Sequence, residues 1–177
     1  IGGGTTDIAV VSNGGVEGTK MFALGGRVFT KRIANDFGLS FQEAEKMKLM
    51  YSNEEIDKKQ QEKIVKSLDG DCQVWLSGVQ LALEEFSGID LLPSRILLCG
   101  GGSMLPVIKN LLEDSDWVED LPFAKKPKVS FIHPRDVANV IDETQSLDDA
   151  QDITPMALAN MALDLPGTPS VITGAMD

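Results

Sequence analysis

Residues 1–10 read IGGGTTDIAV, three successive glycines, two threonines and an aspartate ahead of an alternating apolar run. Glycines carry no side chain to keep successive backbone N–H groups from converging on an anion. The hydroxyls of Thr5 and Thr6 add donors, and the carboxylate of Asp7 can hold a hydrated magnesium ion beside phosphates. A second cluster, Gly100, Gly101 and Gly102 followed by Ser103 and Met104, comes directly after the apolar run that ends at Cys99. Two glycine turns, each flanking a strand and separated by helical sequence, outline a nucleotide site split between distant parts of the chain.

Neither cluster is decisive by itself. A tight hairpin accounts for residues 2–6 as well as a phosphate loop does. No Lys-Ser or Lys-Thr follows at the spacing of a Walker-type loop. Residues 100–102 also lack the later glycine and the downstream ribose-binding acid of a dinucleotide fingerprint.

The elements that must position these residues follow from periodicity. Residues 5–12 alternate as a strand, Asn13-Gly14 is a two-residue hairpin signal, and residues 16–24 supply the returning strand. Gly25-Gly26 breaks that strand, after which Phe29, Ile33 and Phe37 recur at helical spacing toward a C-terminal cap at Gly38. Ser40 with Glu43 forms a capping box for a helix to about Met50. Residues 53–68 read as a polar helix, and Cys72, Trp75, Leu76, Val79, Leu83 and Phe86 stripe a long one ending at Gly88, a face built to pack on a core. Residues 95–99 read as a short buried strand, Ser103 as the N-cap of a helix to about Glu113, residues 128–132 as a strand, and Pro155 as the start of a last helix. A hairpin feeding strands that alternate with helices implies an α/β fold, a mixed sheet with helices on its faces. Residues 1–37 and 89–165 would form the core nucleotide-binding subdomain, residues 38–88 a small, mostly helical insertion, and residues 166–177 a loose tail.

Bulk composition narrows the function classes. The 177 residues are 42% apolar and carry a formal net charge of −11, which disfavours nucleic acid and anionic membrane surfaces as partners. The acid-rich stretches 113–120 and 142–152 read as solvated surface. No stretch has the apolar length to insert into a bilayer. Cys72 and Cys99 read as core residues of a cytoplasmic protein, and His133, the one histidine, as a turn residue ahead of Pro134. The chain opens on isoleucine and the glycine motif begins abruptly, so the expectation is a portion of a longer protein.

Taken together the motifs resemble the second half of the actin-like ATPase superfamily, of RNase H-like fold, and within it the bacterial FtsA and PilM group. The matching stretches are IGGGTTDIAV at 1–10, ALGG at 23–26, Thr30 with Ile33-Ala34, LSFQEAEKMK at 39–48, ILLCGGGSMLP at 96–106 and TPMALANMAL at 154–163, in the family order. The resemblance implies ATP and Mg2+ as cofactors. Gly2, Gly3, Gly4 and Thr5, with Thr6 beside them, match the second phosphate-binding turn, and Gly25 and Gly26 a turn passing close to the nucleotide. Asp7 matches the acid that holds magnesium through water. Glu45 and Lys48 match a pair reaching ribose and base; three apart on one helix, they share a surface, where an exposed intrahelical ion pair is the alternative reading. Gly100, Gly101, Gly102 and Ser103 match the adenosine turn, and Met104 a side chain packing on adenine.

The function so implied is the ATP-binding half of a cytoskeletal or assembly protein of cell division, nucleotide state controlling polymerisation or partner docking. A PilM-like pilus assembly adaptor that binds nucleotide without significant turnover is the alternative, and a kinase of the same fold a third. The implied partners are nucleotide, further copies of the protein, or division or pilus assembly proteins. The implied place is the cytoplasm, at the inner face of the membrane through partners or other segments. The first half of such a cleft is absent, so this half alone should bind weakly and hydrolyse negligibly. The family sheet also places a further strand between the hairpin and the strand at 95–99, so the chain alone should be poorly stable.

Overall fold

A computed structural model describes residues 1–114, 116–138 and 140–164. Asn13 and Gly14 both take positive φ (50° and 80°), the geometry that closes a two-residue hairpin between strands of native twist. They join β1 (Thr6–Ser12) to β2 (Gly15–Phe22) in antiparallel register, with an irregularity between Val10 and Val11. Thr6 and Val10 point into the core, while Asp7, Ala9 and Val11 are exposed on the other face.

Helix α1 (Gly26–Phe37) ends as its sequence directs, with Gly38 in the left-handed region at φ 64° and its N–H donating to the Ala34 carbonyl. Helix α2 (Phe41–Ser52) starts on the full capping box of Ser40 and Glu43. The polar helix expected over 53–68 and the striped one after it are a single 27-residue helix, α3 (Lys58–Glu84), N-capped by Asp57; the chain between α2 and Asp57 is not helical. Ile64, Leu68, Cys72, Trp75, Leu76 and Val79 form its buried stripe. Gly78 lets β2 settle on this helix, because a methyl group there would lie 2.9 Å from the Phe22 ring. Trp75 Nε1 donates to Thr6 Oγ1 at 2.9 Å, and that hydroxyl donates onward to the Leu24 carbonyl at 2.8 Å. Residues 38–88 therefore share one continuous core with the strands and α1. Arg32 on α1 reinforces the join through two hydrogen bonds to Asp71.

Strands β3 (Arg95–Leu98) and β4 (Lys128–Phe131) pair in parallel, in the register Arg95 to Lys128 through Leu98 to Phe131. Between them the chain makes a 3-10 turn (Gly101–Met104) and helix α4 (Pro106–Glu113). Ser103 is not the N-cap expected of it. Pro106, whose fixed φ suits the first helical position, starts α4 with Leu105 at the cap, and Ser103 Oγ instead donates to the Gly100 carbonyl at 2.7 Å. Helix α5 (Ile153–Asp164) begins two residues before Pro155, straight from a 3-10 turn (Ala150–Asp152). The tail expected over 166–177 lies outside the described residues. No helix among the described residues is long and apolar enough to cross a membrane.

The strands expected to form one mixed sheet are present as two separate pairs, β1–β2 and β3–β4. Between β1 and β3 lies a hollow of about 450 Å³, lined by the facing edges of both strands and by Trp75, Leu92, Leu112 and Trp117. Two unpaired edges facing across an apolar hollow leave backbone donors and acceptors without the ladder partners a sheet interior requires. Ile1 sits at the head of this hollow, its nitrogen donating to the Cys99 carbonyl at 2.7 Å and its carbonyl accepting from Gly102 N–H at 3.0 Å. The 177-residue chain alone should consequently melt over a broad range and bind a hydrophobic dye below its midpoint. A sharp, cooperative calorimetric transition without dye binding would show that the hollow costs little.

Candidate functional site

Three turns distant in sequence meet at one end of the strands. Gly26 N–H donates to the Gly2 carbonyl at 2.9 Å and Arg27 N–H to the Gly3 carbonyl at 2.8 Å, which ties the 1–5 turn to the start of α1. Gly102 N–H donates to Ile1, and Gly100 N–H to the Ala150 carbonyl at 2.8 Å, which holds the second turn against the first. Contact is backbone on backbone. A methyl group at Gly25 would lie 2.6 Å from the Gly2 carbonyl oxygen, and one at Gly100, where φ is +85°, 2.5 Å from the Ile1 carbonyl oxygen. One at Gly102 would lie 2.7 Å from Ile1 Cγ2, and Gly26 faces both Gly102 and the Lys48 ammonium. These glycines are therefore required by the approach of one turn to another.

What remains free at this junction suits a polyphosphate. With the Gly2 and Gly3 carbonyls drawn back onto α1, the N–H groups of Gly3, Gly4 and Thr5 donate to no acceptor among the described residues, and all three glycines of the turn are exposed. Successive amide donors without an acceptor are the kind of backbone from which anion-binding concavities are built. Asp7 is exposed beside it, its Oδ2 accepting from Thr5 Oγ1 at 3.1 Å. Among the described residues no cluster of three or more His, Cys, Asp or Glu side chains could hold a metal ion. Asp7 fits a magnesium ion whose other ligands are water and phosphate oxygens. Thr6, in contrast, turns away: its hydroxyl is buried between Trp75 and Leu24, so its side chain belongs to the core.

On the adenosine side, Glu45 and Lys48 share one surface of α2, as their spacing requires, but their roles differ. Lys48 is buried, and its ammonium donates to Glu45 Oε2 at 2.8 Å, Thr30 Oγ1 at 2.9 Å and the Gly26 carbonyl at 3.3 Å. All three of its donors are thereby engaged, which leaves none for a base. Glu45 Oε2 also accepts from Thr30 Oγ1 at 2.5 Å, while its side chain keeps 37% of its exposure, so the second carboxylate oxygen remains available to a ligand hydroxyl. Burial pushes the Glu45 carboxyl up, but the hydrogen bonds from Lys48 and Thr30 and the charges of Lys48 and Arg27 outweigh it and hold the group below the ordinary glutamate range. In the second turn, Gly101 has open space where its side chain would be and stays exposed, a flat patch of backbone fit for a purine face. Ser103 is fully buried and Met104 half-buried beside it.

The sequence reading assigned no role to Thr30 or Arg27. Thr30 sits four residues after Gly26 on α1, where its side chain faces α2, a pairing that no local pattern announces. Arg27 directly follows the Gly25-Gly26 pair, which was the available signal.

The sequence model of the family described as cell division protein FtsA matches residues 1–152. The cell division protein FtsA of Bacillus subtilis (strain 168) is 30% identical over 64% of this chain and 30% of its own length. A type IV pilus biogenesis complex of PilM with PilN superposes with a TM-score of 0.62 at 22% identity, over 91% of this chain and 44% of that one. The ethanolamine utilization protein EutJ of Carboxydothermus hydrogenoformans gives a TM-score of 0.57 at 20% identity, over 90% of this chain and 46% of that one. The fold is thus the actin-like ATPase fold, and the chain spans less than half the length of each of these relatives.

The packing separates glycines crowded by a neighbouring turn from one with open space around it. Gly100→Ala should lower stability by about 1–3 kcal/mol, through backbone strain and the clash with Ile1. Gly101→Ala should stay within about 0.5 kcal/mol of the parent in urea titrations. Equal losses for the two would contradict this division. Because the Glu45 pKa is depressed on folding, its contribution is present above the ordinary value of 4.5 and lost as pH falls through the lower folded value. Glu45→Gln should therefore flatten the acid limb of a stability-against-pH curve below that value; an unchanged limb would rule the clasp out as its source.

Proposed function

The chain belongs to the cell division protein FtsA family, and on that premise we propose that it is the ATP-binding half of an actin-like assembly protein of cell division. The observation that carries the reading is the convergence of three glycine turns, at residues 1–5, 25–26 and 100–103, on one exposed patch of unpaired amide donors beside Glu45. ATP would lie along this patch. The Gly3, Gly4 and Thr5 amides would take its terminal phosphates and Asp7 would hold Mg2+ through water. The free oxygen of Glu45 would accept from the ribose, and Gly101 with Met104 would flank the purine. When bound, the magnesium ion would neutralise the phosphate oxygens and orient them.

The patch is open rather than enclosed, and one wall of donors cannot surround a transferring phosphoryl group. Residues elsewhere in the protein would supply the opposite wall and the groups that orient water. Closure of the two walls on the nucleotide would couple its state to polymerisation or to docking of a division partner at the cytoplasmic face of the membrane. The likeness to PilM supports a second reading, an adaptor that binds nucleotide without appreciable turnover and works through a partner. Sedimentation of the intact protein with ATP and Mg2+ separates the two, since assembly into pellets is expected of the first and not of the second.

The nucleotide site itself is tested by calorimetric titration of the intact protein with ATP and 2′-deoxy-ATP in Mg2+. A hydrogen bond between the 2′-hydroxyl and a carboxylate should favour ATP by about 10-fold or more. Glu45→Gln keeps an acceptor for Lys48 and should erase most of that preference. Failure of the parent to bind either nucleotide would end the reading, and an equal preference in parent and variant would remove Glu45 from the ribose.

A further inference from the structure

The charges around the patch do not balance. A polyphosphate bound there would lie between two carboxylates, those of Asp7 and Glu45, on a chain of net charge −11. Lys48 offers little compensation, because its ammonium is buried and clasped to Glu45. The N-terminal amides of α1 offer none either: those of Gly26 and Arg27 are already bonded to the Gly2 and Gly3 carbonyls. One cation is left. Arg27 lies along the turn, its Nε 3.5 Å and its Cγ 3.8 Å from the position a Gly3 side chain would take. It is exposed and, like several surface lysines, makes no ion pair among the described residues. Its charge also helps to hold the Glu45 carboxyl below its ordinary range.

Resting on the nucleotide reading above, we propose that Arg27 is a phosphate-binding residue that grips the phosphates nearest the ribose and makes the site select phosphorylated nucleosides over adenosine. A guanidinium presents a planar fork of donors to phosphate oxygens and cannot lose its charge, which suits it to an anion flanked by carboxylates.

The test is calorimetric titration of the intact protein, its Arg27→Ala and its Arg27→Lys variants with adenosine, ADP and ATP, each with Mg2+, at low and high salt. Arg27→Ala should weaken ADP and ATP by about 10- to 100-fold and leave adenosine within about 2-fold. Arg27→Lys, a point charge without the fork, should fall between, and the salt dependence of ATP binding should be shallower in Arg27→Ala than in the parent. Unchanged ATP affinity in Arg27→Ala, or an equal loss for adenosine and ATP, would overturn the assignment while leaving the nucleotide site intact. A parent protein that binds none of the three ligands would overturn both.

Discussion

The structure depends on three turns that touch through their backbones. Ile1, Gly2 and Gly3 lie against Gly25 and Gly26 on one side and Gly100 and Gly102 on the other, joined by amide-to-carbonyl hydrogen bonds of 2.8–3.0 Å. Such closeness is open only to residues without a Cβ, so the glycines are steric conditions before they are ligands. Their bonds also set polarity. Carbonyls of the first turn are drawn onto α1, and the amides of Gly3, Gly4 and Thr5 are left without an acceptor among the described residues. These uncommitted donors arise as the complement of the packing that holds the turns together.

Two polar clasps carry that junction into the rest of the molecule. Thr6 and Trp75 join the end of the turn to the middle of α3 with a buried hydrogen bond, so the phosphate side is anchored to the main core. Lys48 joins α2 to the first turn of α1 through Glu45, Thr30 and the Gly26 carbonyl. A buried ammonium is tolerable only when its donors are all satisfied and a carboxylate is near, and both conditions hold. The same clasp engages one oxygen of Glu45 and leaves the other without a partner among the described residues.

The hollow between β1 and β3 is the counterpart of this order. Well-formed hairpin and parallel pair face each other across about 450 Å³ of apolar-lined space, each presenting an unpaired edge. One side is closed locally, by the Asn13-Gly14 turn, and the other by the parallel pairing of Arg95–Leu98 with Lys128–Phe131 across a long crossover. The hollow arises at the next level, where strands must find neighbours.

Much was legible in the residues alone. Asn13-Gly14, Gly38, the Ser40–Glu43 capping box and the Cys72–Val79 stripe each act within a few residues, so the hairpin, helices α1 and α2 and the buried face of α3 followed from local chemistry, whereas the single 27-residue length of α3 did not. The ordered glycine motifs marked the family and the region of the site. Local pattern failed at α4: Ser103 is the better N-cap by type, but Pro106 with its fixed φ starts the helix and leaves Leu105 at the cap without a side-chain bond. Tertiary structure alone determined that Thr6 serves the core, that the Lys48 ammonium is engaged internally, and that Arg27 lies beside Gly3. The physical reason is common to all three. A side chain's type and spacing define what it can bond, but which partner it bonds depends on what other segments bring within 3 Å, and that is known only after the chain has packed.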